Sequence, residues 1–421
     1  MLNRIYPVLL LALLHPAQVY ATDDRHDWFG RMDGFQCNTD IAEIGNRQLQ
    51  MQSSSPDYPA SDTLSAEKDG SVKLGGSVRM NYTLANGDQN SKDKNGDMVF
   101  GPVSITMETV RHDLRFCLDY QSYGYMDVIR HGWMGSRIGD NWQWQLGVVQ
   151  KPFGIMPYES HNWWYGIPYY IGLSDDTDLG ANFSYRSGPW DMQLGFFKNG
   201  EWGDAYNTGR YSIDVIRDDD QSQANEEINQ FNARATRQFA LGNRSRLELG
   251  ISAEWGELYN GTTERKGNHW AVALHSDAVW GPVNLQLEAI RYQYNPENPG
   301  GVSDTTVLMG GYTESYEVAS EGSVYVANLS YDQPVRLGAI TNIKYYADYS
   351  VLGKAESGFN DSVINTLGLS LDANPIFVYV DYVEGKNAAW INYDAGGNMV
   401  GMGQGNTERN SLVNIHVGYY F

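Results

Sequence analysis

The chain is 421 residues long and carries 30 Lys and Arg against 51 Asp and Glu, a formal net charge of −21. So acidic a balance argues against nucleic acid as a partner, because a phosphate backbone would be repelled. With 29 Tyr, 12 Trp and 45 Gly at a mean hydropathy of −0.47, the chain is aromatic-rich yet polar, as expected where strands meet lipid at every second residue and loops are wet.

The first predicted element is a signal peptide. Met1–Ala21 has a basic start at Arg4, an apolar run from Ile5 to Leu14 and a small-residue exit at Val19-Tyr20-Ala21, so cleavage is expected before Thr22. That run is too short to cross a bilayer, and no later stretch nears the roughly 20 consecutive apolar residues of a membrane helix. Residues 22–69 are polar and irregular, with a short helix allowed at Asp40–Met51. They read as a periplasmic or lumenal N-terminal extension or as a disordered leader.

Residues 70–421 are expected to form the barrel itself. In Ser71–Leu84, Val72, Leu74, Gly76, Val78, Met80, Tyr82 and Leu84 share one face of a strand, while Lys73, Gly75, Ser77, Arg79, Asn81 and Thr83 share the other. Lys or Arg facing lipid would cost about 2–4 kcal/mol near the bilayer midplane, so the second face must be the lumen. A long polar loop, Asn86–Gly101, precedes a tight break at His112-Asp113. In the next strand Leu114, Phe116, Leu118 and Tyr120 point to lipid, and Arg115, Cys117 and Asp119 point inward. Between Tyr120 and Trp133 the pattern does not place the hairpin.

Alternation resumes at Trp142-Trp144-Leu146-Val148, Leu247-Leu249-Ile251-Ala253-Trp255, Trp270-Val272-Leu274, Val283-Leu285-Leu287, Ile343-Tyr345-Ala347-Tyr349 and Ile376-Val378-Val380-Tyr382. Short turns are predicted at Gly135–Asn141, Ser187–Pro189, Leu241–Ser245, Gly281–Pro282, Asp332–Ile340 and Ala373–Pro375. Longer loops are predicted at Lys151–Asp178, Asn199–Glu227, Tyr259–Asn268, Asn295–Gly322, Gly353–Ser362 and Lys386–Asn410. Short periplasmic turns alternating with long outer loops predict an all-β fold, a transmembrane antiparallel β-barrel of about 16 strands with both ends periplasmic. In the last segment, Val413, Ile415, Val417, Tyr419 and Phe421 fall on one face, and Asn414, His416 and Gly418 on the other. An aromatic end to such a strand resembles the signal read by the bacterial barrel-assembly machinery. The expected surroundings are outer-membrane lipid and lipopolysaccharide of a Gram-negative cell.

Trp142–Gly154 (WQWQLGVVQKPFG) resembles the "w.l.vGqfk.PFG" motif of the phosphate-selective porin O and P family. The likeness continues through Tyr170-Ile171-Gly172, Asp178-Leu179-Gly180, Trp190–Glu201 (WDMQLGFFKNGE) and Val378–Lys386 (VYVDYVEGK). The resemblance spans Ser71–Phe421 and is dense from Met126 to Glu201. It implies a 16-stranded channel, commonly a homotrimer, through which small hydrophilic solutes diffuse. The family's arginine ladder and lysine cluster are not matched. Inward basic candidates for the pore lining are Lys73, Arg79, Arg115, Arg186, Arg234 and Lys344; inward acidic ones are Glu108, Asp119, Asp191, Glu248, Glu254, Asp277, Glu288, Asp348, Asp372 and Asp381, with His416 a further lining residue. Such a mixture does not favour phosphate by long-range field.

The loop Ile155–Asp178 is rich in aromatic residues: Tyr158, Trp163, Trp164, Tyr165, Tyr169 and Tyr170 are candidates for a pore constriction, or for an interfacial girdle or subunit contact. Two acidic runs, Asp175–Asp178 and Arg217–Asp220, lack a Gly-pivoted calcium loop with a closing Glu and read as solvated, so no metal or other cofactor is expected. There is no HExxH motif, and His275 with Asp277 reads as a polar lumen contact, so no catalytic residues are assigned. Gly401–Gly405 lacks the strand-to-helix context of a phosphate cradle. Cys37 and Cys117 are a disulfide candidate, since the periplasm is oxidising. With alpha carbons needed within about 7 Å, the bond would place residue 37 inside the barrel. The leading expectation is an outer-membrane porin for passive diffusion of small solutes or ions. Two alternatives stand beside it: a hydrophobic-solute channel plugged by residues 22–69, and a barrel-based enzyme or adhesin.

Overall fold

In the computed structural model the described residues are 70–421, apart from 204, 205, 207, 219–222, 243, 395 and 396. The expectations for the signal peptide, the N-terminal extension and Cys37 lie outside the described residues. Two-residue alternation translates directly into long strands. The first seven barrel strands are β1 (Val72–Ala85), β2 (Asp97–Arg111), β3 (Leu114–Ser122), β4 (Asp127–Ile138), β5 (Trp142–Gln150), β6 (Thr177–Ser187) and β7 (Trp190–Gly200). The next loop holds the two-residue strands β8 (Asp214–Val215) and β9 (Arg217–Asp218). The barrel resumes with β10 (Gln223–Ala240), β11 (Ser245–Asn260), β12 (Arg265–Trp280) and β13 (Val283–Asn295). A small hairpin, β14 (Thr306–Gly311) and β15 (Glu314–Ala319), precedes the last five strands. These are β16 (Glu321–Leu337), β17 (Ile340–Lys354), β18 (Ser362–Ala373), β19 (Ile376–Lys386) and β20 (Arg409–Tyr420).

Sixteen long strands therefore pair antiparallel with their neighbours, and β1 pairs with both β2 and β20, so the sheet closes. Closure leaves no open backbone edge, which a hydrocarbon environment would not tolerate. At the seam Ser77 opposes Tyr420 and Ala85 opposes Leu412. Phe421 completes it: its N–H donates to the Gly76 carbonyl at 3.0 Å, and the Gly76 N–H donates back at 2.9 Å.

The two faces separate as alternation requires. Leu74, Leu194, Ile251, Leu274 and Leu367 are exposed on the outside, whereas Arg79, Asp119, Arg234, Asp348 and His416 are buried inside. A continuous apolar exterior on a closed barrel is a lipid-facing surface, and a barrel of this kind resides in a bacterial outer membrane. The ambiguous stretch after Tyr120 resolves into a short connection, 123–126, between β3 and β4. A register shift between Asp119 and Tyr120 breaks the phase of the pattern there. Two boundaries also differ from expectation. The supposed long loop Tyr259–Asn268 is only a four-residue turn, because β11 and β12 stay paired out to Asn260 and Arg265. Similarly, β16 continues through a bulge to Leu337, shortening the expected turn at Asp332–Ile340.

The main apolar core lies among the long loops. Tyr169, Ile171, Ile213, Val215, Met309 and Ile391 belong to one buried cluster that packs on Val128 of β4 and Leu352 of β17. β8 pairs with β14, and β14 with β15, so this core has a three-stranded sheet of its own. The apolar run Val307-Leu308-Met309, fully buried here, is the signal in the sequence that this loop is folded.

Candidate functional site in the lumen

The segment between β5 and β6, residues 151–176, crosses the barrel interior instead of standing outside it. Its path is set at the Pro-Phe-Gly motif. Gly154 has φ of +59°, and a side chain there would place a β-carbon 2.2 Å from Glu288 Oε1. Only glycine adopts this conformation at this closeness without strain. The Gly154 N–H donates to Ser252 Oγ at 3.0 Å, its carbonyl accepts from Arg234 Nε at 2.8 Å, and the Ile155 N–H donates to Glu288 Oε1 at 3.2 Å. The loop is thereby pinned first to β10, β11 and β13.

Its tip reaches the far wall. Asn328 Nδ2 donates to the Glu159 carbonyl. Asp348 on β17 accepts three hydrogen bonds, from the His161 N–H at 2.7 Å, from His161 Nδ1 at 2.8 Å and from Asn162 Nδ2 at 2.8 Å. The other His161 ring nitrogen lies 2.6 Å from Asn284 Oδ1. Trp163 stacks on His416 of β20 with ring centroids 3.6 Å apart, and Arg79 of β1 sits 5.8 Å over the same indole. On the return path the Ile167 N–H donates to Ser350 Oγ at 3.0 Å, leading into the short helix α1 (Ile167–Tyr170). Glu159 holds the two limbs together: it accepts from the Gly166 N–H at 3.2 Å and from Ser174 Oγ. Burial pushes its carboxyl up to about 7, against the lowering effect of these donors.

The six aromatic candidates of this loop divide. Trp163 meets the barrel wall, whereas Tyr169 and Tyr170 are buried in the loop core, with Trp164 and Tyr165 packed against it. Tyr165 stacks on Tyr169 at 4.5 Å and lies edge-on to Tyr158 at 5.3 Å.

Most basic candidates are matched by a carboxylate on the same wall. Arg115 pairs with Glu108 at 2.9 Å, Arg186 with Asp191 at 2.6 Å, Arg234 with Glu248 at 2.9 Å and Lys344 with Asp332 at 3.8 Å. Lys73 is exposed near the start of β1, opposite Glu108. Among the acidic candidates, Asp381 accepts from Tyr346 Oη at 2.6 Å and Asp119 from Gln121 Nε2 at 3.2 Å. Glu254 accepts from Asn232 Nδ2 at 3.1 Å, Asp277 from Asn284 Nδ2 at 2.5 Å and Asp372 from the Asn374 N–H in a turn at 3.1 Å. Cys117 is buried and disulfide-bonded, while Cys37 lies outside the described residues. His161, Ser252, Asn284, Asn328 and Ser350 also hold the loop in place, although nothing in their local sequence marks a long-range partner.

The acidic run at Asp175–Asp178 is not the solvated loop that its composition suggests. Asp175, Asp176 and Asp178 are buried, not solvated. Asp175 Oδ2 accepts from Arg130 at 2.8 Å and from Tyr211 Oη at 2.6 Å. The physical reason is the inward fold of the loop, which carries its acidic end beneath the loop core.

No protein-family model and no curated relative matches the chain. Among solved structures it is similar to the outer-membrane channel DcaP of Acinetobacter baumannii, at 14% identity and a TM-score of 0.56, covering 85% of this chain and 99% of that one. It is also similar to OmpT of Vibrio cholerae in its trimer form, at 12% identity and a TM-score of 0.54, covering 84% and 100%. An anion-selective porin from Comamonas acidovorans aligns at 13% identity and a TM-score of 0.50, covering 84% and 100%. At these identities the likeness is one of fold.

Proposed function

We propose that the chain is an outer-membrane porin through which small hydrophilic solutes or ions diffuse passively, narrowed by residues 151–176. The observation that carries the reading is the loop's anchorage across the lumen, from Ser252, Glu288 and Asn328 to Asp348 and His416. A segment held at so many points on the wall sets the passage size while leaving the barrel closed to lipid. Polar lining and fold likeness to channels and porins support diffusion of hydrophilic solutes. A trimer, as in the trimer form of the Vibrio cholerae neighbour, is the proposed assembly.

Phosphate specificity gains no support from the lining. Arg115, Arg186, Arg234 and Lys344 each face a nearby carboxylate, so most of the positive field of the lining is locally compensated. Planar-bilayer recording tests both parts. Steady ohmic conductance is expected, and reversal potentials in a salt gradient should show weak or absent anion preference. A barrel that conducts nothing would refute the porin reading. Strong anion selectivity with saturation by phosphate would instead restore the specialised function of the family it resembles.

A further inference from the structure

Beneath the loop core, where the lumenal loop rejoins the barrel, Asp176, Asp178 and Asp214 converge, with Glu227 sharing Lys151 and Glu201 within electrostatic reach of Asp214 and Asp178, five acidic side chains in all. Two cations face them. Lys151 Nζ contacts Asp176, lies 3.3 Å from Asp178 and 3.9 Å from Glu227, and Arg210 pairs with Asp214 at 2.7 Å. Asp175, next in sequence, is already engaged by Arg130 and Tyr211 and stands apart from the cluster.

We infer that this cluster binds a divalent cation, calcium in preference to magnesium, which clamps the lumenal loop's base to the outer loop at 201–215. Three observations meet here. Carboxylate oxygens of Asp176, Asp178 and Asp214 all lie within 4.8 Å of one another. Calcium binds oxygen at about 2.3–2.6 Å, so ligands on opposite sides of one ion stand roughly 5 Å apart. Second, Asp178 Oδ1, Asp214 Oδ1 and Glu201 Oε2 are buried, and no hydrogen-bond donor among the described residues reaches them. Buried carboxylate oxygens without a donor are costly, and a cation is the partner that satisfies several at once. Third, a cavity of about 20 Å³, enough for one water-sized occupant, reaches Asp214 on the side lined by Arg210, Glu226 and Glu227.

Charge separates this arrangement from a self-contained salt-bridge network. Lys151 and Arg210 offset two of the five carboxylates, and a dication supplies most of the remainder. Magnesium fits less well, because it demands near-octahedral ligands at shorter range and keeps most of its water.

The test uses the purified full-length barrel in detergent, stripped with a chelator and then titrated with calcium or magnesium chloride at matched ionic strength. Terbium luminescence reports binding, and heat-modifiable gel mobility reports stability. Calcium is expected to displace terbium and to raise the unfolding temperature by several degrees. Asp214→Asn and Asp178→Asn, each removing one carboxylate charge, should weaken calcium about tenfold or more. No calcium-specific shift in the wild-type barrel overturns the site. So does an equal response to magnesium, which marks general screening of an acidic surface, or an unchanged calcium affinity in a folded variant. The wild-type arms decide the matter even if a variant does not fold.

Discussion

Replacing Asp348 with Ala should free the tip of the lumenal loop. Asp348 is nearly inaccessible and accepts three hydrogen bonds from His161 and Asn162. Hydrogen bonds to a charged group contribute about 1.5–3 kcal/mol each, and shared partners make them less than additive. Losing all three therefore costs the docked tip roughly 3–5 kcal/mol. What remains at the tip is the His161 contact with Asn284, the Asn328 bond to the Glu159 carbonyl, and the Trp163–His416 stack with Arg79 over the same indole, the stack worth about 0.5–1.5 kcal/mol beyond its area burial. A loss of about 3 kcal/mol shifts the docking equilibrium by more than a hundredfold. The base, held by Gly154 and Ile155, should stay in place, so the barrel should still fold. Single-channel recording should show higher mean conductance and added open-channel noise. Asp348→Asn separates anchoring from charge, since it removes the charge but keeps an oxygen acceptor, and its effect should be distinctly smaller. A folded Asp348→Ala barrel with wild-type conductance and noise would refute the anchoring role. Equal effects in both variants would assign the change to lumen charge.

Glu159 gives the loop a pH dependence. Its folded-state value near 7 lies above the ordinary 4.5, so its contribution to stability is complete below about pH 4.5 and is lost as pH rises through about 7, a span worth roughly 3 kcal/mol. Thermal midpoints of the wild type should fall between pH 5 and 8, and Glu159→Gln should flatten that slope; parallel profiles would count against it. Deleting Phe421 removes both backbone bonds to Gly76 at the barrel seam and should shift gel mobility toward the unfolded form; an unchanged folded yield would contradict an assembly role. If Cys117 is joined to Cys37, alkylation of the unreduced, denatured chain should add no mass, and two labelled thiols would exclude the tether. With the bond present, reduction or deletion of residues 22–60 should raise single-channel conductance.

The barrel was legible because its rules are local. In Ser71–Leu84 the alternation of Leu74 and Met80 with Lys73 and Arg79 assigns each side chain to lipid or lumen without any knowledge of its neighbours. The same rule counts the strands and loses its phase where a bulge intervenes, as after Asp119. The Pro-Phe-Gly motif marked where the chain leaves the wall, and the aromatic run after it marked the segment that enters the lumen. Where that segment goes was not legible. His161 meets Asp348 across 187 positions and Trp163 meets His416 on the last strand, contacts that exist only once the loop has folded into the barrel. The acidic run at Asp175–Asp178 shows the same limit: its composition is that of a wet loop, yet an inward fold buries it. Side-chain direction along a strand follows from covalent geometry, whereas the course of a loop follows from partners that tertiary structure alone brings within reach.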